Sequence, residues 1–504
     1  MKYTTSSAPE TERLAQQLSL FAKAGMVILL QGELGAGKST FARALIKALG
    51  VTNKDFDVPS PTFSLIQTYS ETHVPVAHVD LYRLGQNPDL QELGLDELVS
   101  SHLLLVEWPS AAVLGLSTDT LTLDFSGAGQ SRTINAVATG AWLQAVTRNT
   151  EISTFLNSHK IDPTTRIFFE GDASSRRYEQ VQSASGQLIL MDMPQRPDGP
   201  PVMNGKPYSA IAHLAENIRS VVAVNDQLCH MGYGAPEIHA VDMKLGLALI
   251  EDFGSKVFGA MSKSGADMES PMRAAVEVLA DFTSKSWPTS VTLRDGSVYM
   301  MPSYDQEAQL IEVDLLPSWF HMHVHKRPAP AAISENFQNV WKSVLPLAVP
   351  TEFIWVMRDY HSPNLIWRPK LDGLKRVGLI DTQDALLGHP AYDLVSLLQD
   401  ARVDVAFDFA DALYAHYVAL RQAQGQFYQQ EFARAYAILG AQRATKILGI
   451  FARLNARDGK PQYLQHMPRV SRYLARNLAH PALVEIKNWY EREMPAALAI
   501  GKTQ

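Results

Sequence analysis

The stretch Gly32–Thr40, G-E-L-G-A-G-K-S-T, constrains the fold of the chain's first part more than any other feature. It has the G-x-x-x-x-G-K-[ST] spacing of a phosphate-cradling loop, in which glycines let backbone N–H groups turn inward around phosphate oxygens. Such a loop works between a strand and the N-terminus of a helix, where the helix dipole adds to the attraction. Its flanks comply. Met26–Leu30 is an apolar strand, and Phe41–Leu49, closed by Gly50, reads as a helix. Gly32, Gly35, Ala36 and Gly37 then form the cradle, Lys38 reaches the terminal phosphates, and the Ser39 hydroxyl ligates magnesium.

Upstream, Ser7-Ala8-Pro9-Glu10 reads as a capping box that opens an amphipathic helix closed by Gly25. Downstream, two strands end in acids: Val74–Val79 leads to Asp80, and Leu103–Val106 leads to Glu107. In a parallel sheet those ends lie on the nucleotide side. Asp80 is therefore a candidate outer ligand of the metal, and Glu107 a candidate to orient a hydrolytic water or hold the metal. Strands over Leu121–Phe125 and Arg132–Ala138 close this domain near residue 145. A short join, G-A-W-L-Q-A-V-T-R-N-T, then leads to a new helix over Glu151–Ser158.

A second centre lies between Met357 and Asp393. Asp359 and Asn364 have the D-x-x-x-x-N spacing of a kinase catalytic loop, and Asp381 follows an apolar strand at Val377–Ile380. Phosphoryl transfer needs a carboxylate to orient the acceptor hydroxyl and oxygen ligands to hold magnesium on the phosphates. Asp359 suits the first role, and Asn364 with Asp381 the second. Earlier, a strand at Arg166–Phe169, the turn G-D-A-S-S-R-R-Y with Ser174 in it, and a return through Val181 make either an ordinary hairpin or, given their place before the catalytic loop, a flap able to fold over ATP phosphates. Leu247–Gly254, with Glu251, reads as the hinge strand where adenine stacks. The third strand, Gln187–Met191, lacks a phosphate-binding lysine, because Met191 and Asp192 occupy its place. Arg176 or Arg177 is the candidate substitute. Met357 in place of a histidine and D-T-Q in place of D-F-G disfavour a protein kinase.

The chain's 504 residues suggest two to four domains, and 46% hydrophobic with 19% charged residues is a globular composition. The single cysteine, Cys229, excludes a disulfide framework or a cysteine-rich metal site. No apolar run is long enough to cross a membrane, and the N-terminus lacks a secretion-signal plan, so a cytoplasmic location is expected. Net charge is −7; residues 1–145 hold 9 Lys+Arg against 14 Asp+Glu, or −5. That balance does not grip a phosphate backbone by itself.

Five motifs of the first part, G-E-L-G-A-G-K-S-T, S-P-T-F (Ser60–Phe63), H-V-D-L-Y-R-L (His78–Leu84), E-L-G-L-D-E (Glu92–Glu97) and V-E-W-P (Val106–Pro109), occur in one order. Together they resemble the bacterial TsaE ATPase of tRNA threonylcarbamoyladenosine synthesis. The resemblance implies ATP hydrolysis that resets a partner threonylcarbamoyltransferase complex, with tRNA met only through the partners. It also implies a nucleotide–magnesium site made of Lys38, Ser39, Thr40, Asp80 and Glu107, with Thr62 in a switch-like loop and Trp108 stacking near nucleotide or partner. Ser110 stands where that family usually has an acid.

In the second part, G-D-A-S-S-R-R-Y, L-I-L-M-D-M-P, I-E-D-F-G, R-D-Y-H-S-P-N-L-I-W and D-T-Q-D-A-L-L-G-H-P-A-Y-D resemble the aminoglycoside-phosphotransferase superfamily. Within it they look most like the anomeric kinases for N-acetylmuramate and N-acetylglucosamine, as does R-L-N-A-R-D-G-K at Arg453–Lys460. The resemblance implies transfer from Mg-ATP to an anomeric hydroxyl, with Asp359 as base and Asn364 and Asp381 on magnesium. His361, Asp384 and Asp393 match the group's motifs. His361 either places the acceptor or braces the loop, and Asp393 is expected to fix the loop by hydrogen bonds. Trp287, Trp319, Phe320 and Trp341 are candidates to stack on a sugar, with core packing the commoner fate. The helices after Val403, as at Phe409–Tyr417 and Ala441–Phe451, are expected to be the core of the substrate lobe.

The expected architecture is an α/β P-loop NTPase domain over residues 1–145, followed by an α+β bilobal protein-kinase-like domain over 150–504. Its smaller lobe is expected over about 150–255 and its helical lobe over 256–504. Another small alcohol as acceptor (an aminoglycoside or choline), or a nucleotide-binding pseudokinase that regulates the ATPase, remains open from sequence.

Overall fold

The computed structural model describes residues 1–50, 58–84, 93–127, 129–169, 176–197 and 199–502. They form two compact units, Met1–Asp192 and Met193–Gln504.

The first unit is built on strands β1 (Lys2–Thr5), β2 (Val27–Gly32), β3 (Ile66–Tyr69), β4 (Val76–Asp80), β5 (Leu103–Glu107), β6 (Thr120–Ser126) and β7 (Arg132–Ala138), in the order β1-β7-β6-β2-β5-β4-β3. The four central strands β6, β2, β5 and β4 are parallel, and antiparallel β3 and β7 flank them. Central strands covered on both faces must be apolar throughout, as V-I-L-L in β2 and L-L-L-V in β5 are. Helix α1 covers Ala8–Ser19 and α2 covers Lys38–Ala48.

Two expectations need correcting here. Helix α1 stops at Ser19 rather than at Gly25, and Glu10 reaches back to the N–H (2.7 Å) and hydroxyl of Ser6 rather than of Ser7. More consequentially, the expected join is helical. Helix α3 (Gly140–Ser158) runs unbroken through it, burying Trp142, Ala145, Val146, Asn149, Ile152, Phe155 and Leu156 at three- and four-residue spacing. Threonines and asparagines of low helix propensity hid that stripe, and packing overrides propensity.

Helix α3 leads to an antiparallel meander, β8 (Ile167–Phe169), β9 (Arg177–Ser183) and β10 (Gly186–Asp192). The compact unit therefore runs past the motif-based boundary near 145–150. A buried ion network holds the meander. Arg166 and Glu179, both with fully buried side chains, pair through two N–H···O bonds of 2.6 and 3.0 Å, and Arg166 also bonds Asn149 of α3. Arg148 of α3 and Arg177 share the carboxylate of Asp192, at 2.7 and 2.8 Å. The Arg177 guanidinium lies 3.8 Å from the ring centroid of Phe21, and His73 stacks on Phe168 at 4.9 Å.

The second unit is mainly helical, with one continuous core. The 30-residue helix Gln429–Asp458 runs through it and buries Ala441 to Thr445 without a break. Gly449 lets that helix pass a neighbouring backbone: a Cβ there would sit 2.4 Å from the carbonyl carbon of Leu315. Both expected helical stripes fall in helices, Phe407–Ala423 and Gln429–Asp458. Trp287, Phe320 and Trp341 are buried in this core, and Trp319 is partly buried against it. Two short antiparallel pairs frame the loop 357–364: Ile354–Val356 with Leu386–Gly388, and Leu365–Trp367 with Val377–Leu379.

Candidate active sites

In the first unit, the ends of β2, β4 and β5 bring the expected residues together. Gly32 has φ 124° and a Cβ there would meet the Phe125 carbonyl oxygen at 2.3 Å, so only glycine fits where the loop leaves β2. Gly37 (φ 105°) turns the chain into α2, whose first turn carries Lys38, Ser39 and Thr40. Lys38 Nζ donates to the carbonyls of Gly32 (2.7 Å) and Glu33 (2.8 Å) and lies 3.7 Å from the Trp108 ring centroid. Burial pushes its pKa down, partly offset by Glu107 and Asp80.

Asp80 and Glu107 are register partners across β4 and β5. Ser39 Oγ donates to Glu107 Oε2 at 2.7 Å, and Thr62 Oγ1 donates to Asp80 Oδ2 at 2.9 Å. Hydroxyls and carboxylates gathered at one strand end are the hard-oxygen set that suits Mg²⁺. Two supporting residues escaped the sequence reading. His78 Nε2 lies 2.9 Å from Glu107 Oε1 and fixes that carboxylate from behind. Arg132 donates to the carbonyls of Ala36 (2.7 Å) and Gly35 (3.2 Å), fastening the loop. It lies almost a hundred residues away on β7 and only the sheet order brings it near, so no local signal marks it. His78 belongs to a quoted motif, and its role follows only from β4 pairing with β5.

The loop 357–364 of the second unit is held from several sides. Asp393 accepts hydrogen bonds from the backbone N–H of Met357 (2.6 Å) and Arg358 (2.9 Å), while burial pushes its carboxyl up to about 7. Asp400 accepts the N–H of Ser362 at 2.8 Å and its hydroxyl. Arg358 sits at φ 63°, a conformation that costs a non-glycine residue about 1–2 kcal/mol. Its guanidinium pairs with fully buried Glu312, which also takes Lys446 (2.7 Å) and the Tyr304 hydroxyl. Arg443 donates to the Arg358 carbonyl at 2.9 Å and approaches Asp359 to 3.6 Å.

These cations set the state of Asp359. Partial desolvation by the surrounding protein favours its neutral form, but His361, Arg443, Lys446 and Arg358 together hold its carboxyl well below the usual range. His361, 3.8 Å away, has its own pKa lowered by burial and is uncharged at neutral pH. The three permanent cations therefore keep Asp359 ionised. Its side chain is 41% exposed and faces a recess of about 260 Å³ lined also by His361, Asp384, Arg443, Lys446 and Phe451.

Leu365 pairs with Leu379, and Ile380 N–H bonds the Asn364 carbonyl at 3.0 Å, so Asn364 and Asp381 stand together at one end of this hairpin. Asn364 Nδ2 donates to the Asp359 carbonyl (3.1 Å), and Asp381, at φ 60°, accepts from Gln383 (3.0 Å). An amide oxygen and a carboxylate there again suit Mg²⁺.

Asp384 accepts the Ala215 N–H at 2.6 Å on the recess wall, and Glu251 is bonded by Arg368 at 2.6 Å. Arg176 is half-buried beside β9, and the charge of Arg177 is met by Asp192 and Glu179. Ser174 lies outside the described residues. None of the four expected sugar-stacking aromatics lines the recess; Tyr208 and Phe451 do.

Together these centres define a protein with a P-loop ATPase fold and a kinase-like phosphotransferase fold. Comparison with known proteins gives the same division. Residues 5–134 match the family described as threonylcarbamoyl adenosine biosynthesis protein TsaE, and residues 165–440 match the phosphotransferase enzyme family. An N-acetylmuramate/N-acetylglucosamine kinase of Caulobacter vibrioides is 35% identical over 351 residues, 68% of this chain and 95% of its own length. Its counterpart in Pseudomonas putida is 31% identical over 320 residues, 62% and 84% of the two chains. The tRNA threonylcarbamoyladenosine biosynthesis protein TsaE of Bacillus subtilis is 36% identical over 142 residues, 28% of this chain and 87% of its own. The chain belongs to the TsaE family through its first part and to the phosphotransferase enzyme family through its second. It is an ATP-using enzyme twice over.

Proposed function

We propose that the chain joins two activities used in different processes. Residues 1–145 are the ATPase that supports synthesis of threonylcarbamoyladenosine in tRNA, acting on a threonylcarbamoyltransferase complex and meeting tRNA only through it. Residues 150–504 transfer phosphate from ATP to the anomeric hydroxyl of N-acetylmuramate or N-acetylglucosamine, for recycling of cell-wall sugars. Both activities belong in the cytoplasm, and no helix among the described residues is long and apolar enough to cross a membrane.

The observation that carries the kinase reading is Asp359, held as a carboxylate by His361, Arg443, Lys446 and Arg358 at the wall of a small recess, five residues from Asn364. Phosphoryl transfer asks mainly for positioning. The Asp359 carboxylate accepts a hydrogen bond from the acceptor hydroxyl and takes its proton as the O–P bond forms. A carboxylate of depressed pKa is a weak base, which suits a hemiacetal hydroxyl, more acidic than an ordinary alcohol. Asn364 and Asp381 would hold Mg²⁺ here, and Ser39, Glu107 and Asp80 in the first site, where the ion offsets phosphate charge when bound. Arg358, Glu312 and Asp393 keep the loop in place. In the ATPase site, Glu107, positioned by His78 and Ser39, orients the attacking water, and Lys38 serves the terminal phosphates.

Phosphorus NMR of the full-length protein with Mg-ATP and either sugar tests both halves. The expected result is an anomeric phosphate signal lost in Asp359→Asn and kept in Lys38→Ala. Free phosphate without sugar phosphate, abolished by Lys38→Ala, would refute the kinase half.

A further inference from the structure

The recess beside Asp359 carries more positive charge than its chemistry needs. It is lined by five cations, Arg358, Arg402, Arg443, Lys446 and Arg453, against four carboxylates. Three of the cations are engaged close to Asp359: Arg358 and Lys446 by Glu312, and Arg443 by Asp359 and the Arg358 carbonyl.

Arg453 differs. It lies ten residues beyond Arg443 on the helix Gln429–Asp458, roughly 15 Å further along its axis. Arg443, Lys446, Ile450 and Arg453 recur at three- and four-residue spacing, so one helix face carries the recess from the Asp359 end to the Arg453 end. Among the described residues Arg453 has no carboxylate within ion-pairing distance, and its Nε is enclosed without a hydrogen-bond partner. Its guanidinium faces the Tyr208 ring at 5.6 Å. The nearby acid, Asp458, is held by Arg457 through bonds of 2.7 and 3.0 Å. Burial lowers the pKa of Arg453, so its charge is destabilised where it stands. A half-buried guanidinium without a counter-ion costs stability unless an anion arrives to pair with it.

The phosphates of ATP belong at Asn364 and Asp381, so the anion that meets Arg453 comes with the acceptor. Of the two sugars named for the relatives, N-acetylglucosamine is neutral. N-acetylmuramate carries a carboxylate on a short ether arm two ring carbons from the anomeric carbon. We propose that Arg453 binds this carboxylate and makes the recess favour an acidic amino sugar over a neutral one, an inference that rests on the sugar-kinase reading above. The planar guanidinium can offer two parallel N–H donors to a carboxylate, and the ring of Tyr208 supports its flat face.

The test compares three acceptors on the full-length protein: N-acetylmuramate, the methyl ester of its lactyl carboxylate, and N-acetylglucosamine. Wild type, Arg453→Gln and Arg453→Lys are measured with Mg-ATP. A lost charge-assisted hydrogen bond corresponds to roughly 10- to 100-fold. Wild type is therefore expected to favour the acid over its ester by that factor, mainly in KM. Arg453→Gln brings the acid-to-ester ratio close to one, and Arg453→Lys restores part of it. A ratio that is the same in Arg453→Gln and wild type overturns the inference and leaves the sugar kinase standing. If Arg453→Gln does not fold, the ester decides alone: equal KM for acid and ester in wild type overturns the inference. Turnover of none of the three acceptors refutes the sugar-kinase reading itself, and the inference falls with it.

Discussion

Glu312 offers the sharpest perturbation of the second unit. Its carboxylate is fully buried and takes Arg358, Lys446, Tyr304 and Gln442. Burial alone would raise its pKa, but Lys446 and Arg358 overcome that and bring it down to about 2 from an ordinary 4.5. At 1.36 kcal/mol per pH unit this shift corresponds to about 3 kcal/mol of stability. Because the folded value is the lower one, that contribution is complete above pH 4.5 and disappears as pH falls towards 2. Glu312→Gln keeps the shape but leaves two buried cations without a counter-charge, which costs about 3–5 kcal/mol. For a unit of this size that predicts a melting temperature lower by roughly 5–8 °C. Thermal unfolding of full-length wild type and variant at pH 7 and pH 3 measures it. The gap is expected to be wide at pH 7 and to narrow at pH 3. A variant melting within a degree of wild type at pH 7, or a gap unchanged at pH 3, would refute the reasoning. Kinase turnover should fall as well, since Arg358 and Lys446 lose the group that positions them beside Asp359.

Other outcomes follow from single contacts. Gly449→Ala places a methyl 2.4 Å from the Leu315 backbone, where no rotamer change gives relief. It should lower stability by about 1–3 kcal/mol in denaturant titration. Arg166→Met leaves Glu179 buried with, among the described residues, Arg177 as the cation near it, at 3.4 Å, and should destabilise the first unit by about 3–5 kcal/mol, seen as loss of amide protection in β8 to β10. Asp393, with a folded pKa of about 7 against an ordinary 3.8, contributes stability that is present below about pH 4 and lost as pH rises through 7. Asp393→Asn cannot ionise, so its melting temperature should vary less between pH 4 and 7 than that of wild type, at a lower overall level because one oxygen must serve two N–H groups.

The residues that sequence made legible are those whose chemistry demands a short fixed spacing. Gly32 to Thr40 and Asp359 to Asn364 are such runs, and an acid at the end of an apolar strand carries its position with it, as Asp80 and Glu107 do. What stayed hidden depends on distant packing. Arg132 reaches the phosphate loop only because β7, β6 and β2 are neighbours in the sheet. Glu312 sits inside an ordinary helical turn, and nothing near it announces that two cations from elsewhere close on it. Trp287 and Trp341 drew attention by size, yet size is what a helical core buries first, and the recess took Tyr208 and Phe451 instead. Of helix α3 only the second half, Glu151–Ser158, was legible, because the stripe of its first half is interrupted by residues that favour turns in isolation.

That helix changes what the join between the two families means. A kinase keeps a cation on its third strand to meet phosphate; here β10 ends in Asp192, whose carboxylate gathers Arg177 of β9 and Arg148 of α3. The sign at that place is reversed, and one of the arginines that answers it lies before the phosphotransferase match begins at residue 165. Asn149 of the same helix bonds Arg166, and Phe21 beyond α1 packs on Arg177. The strands that open the phosphotransferase part are thus cross-linked by ions and rings to residues preceding it. A cut at residue 150 leaves Asp192 with one arginine and Arg166 without its amide partner. A cut at 140 keeps both but strips Trp142 of the sheet that buries it. Neither boundary is neutral, so the two families share a structural unit here rather than a tether. Changes in α3 are bound to be felt by the meander even where they touch no nucleotide.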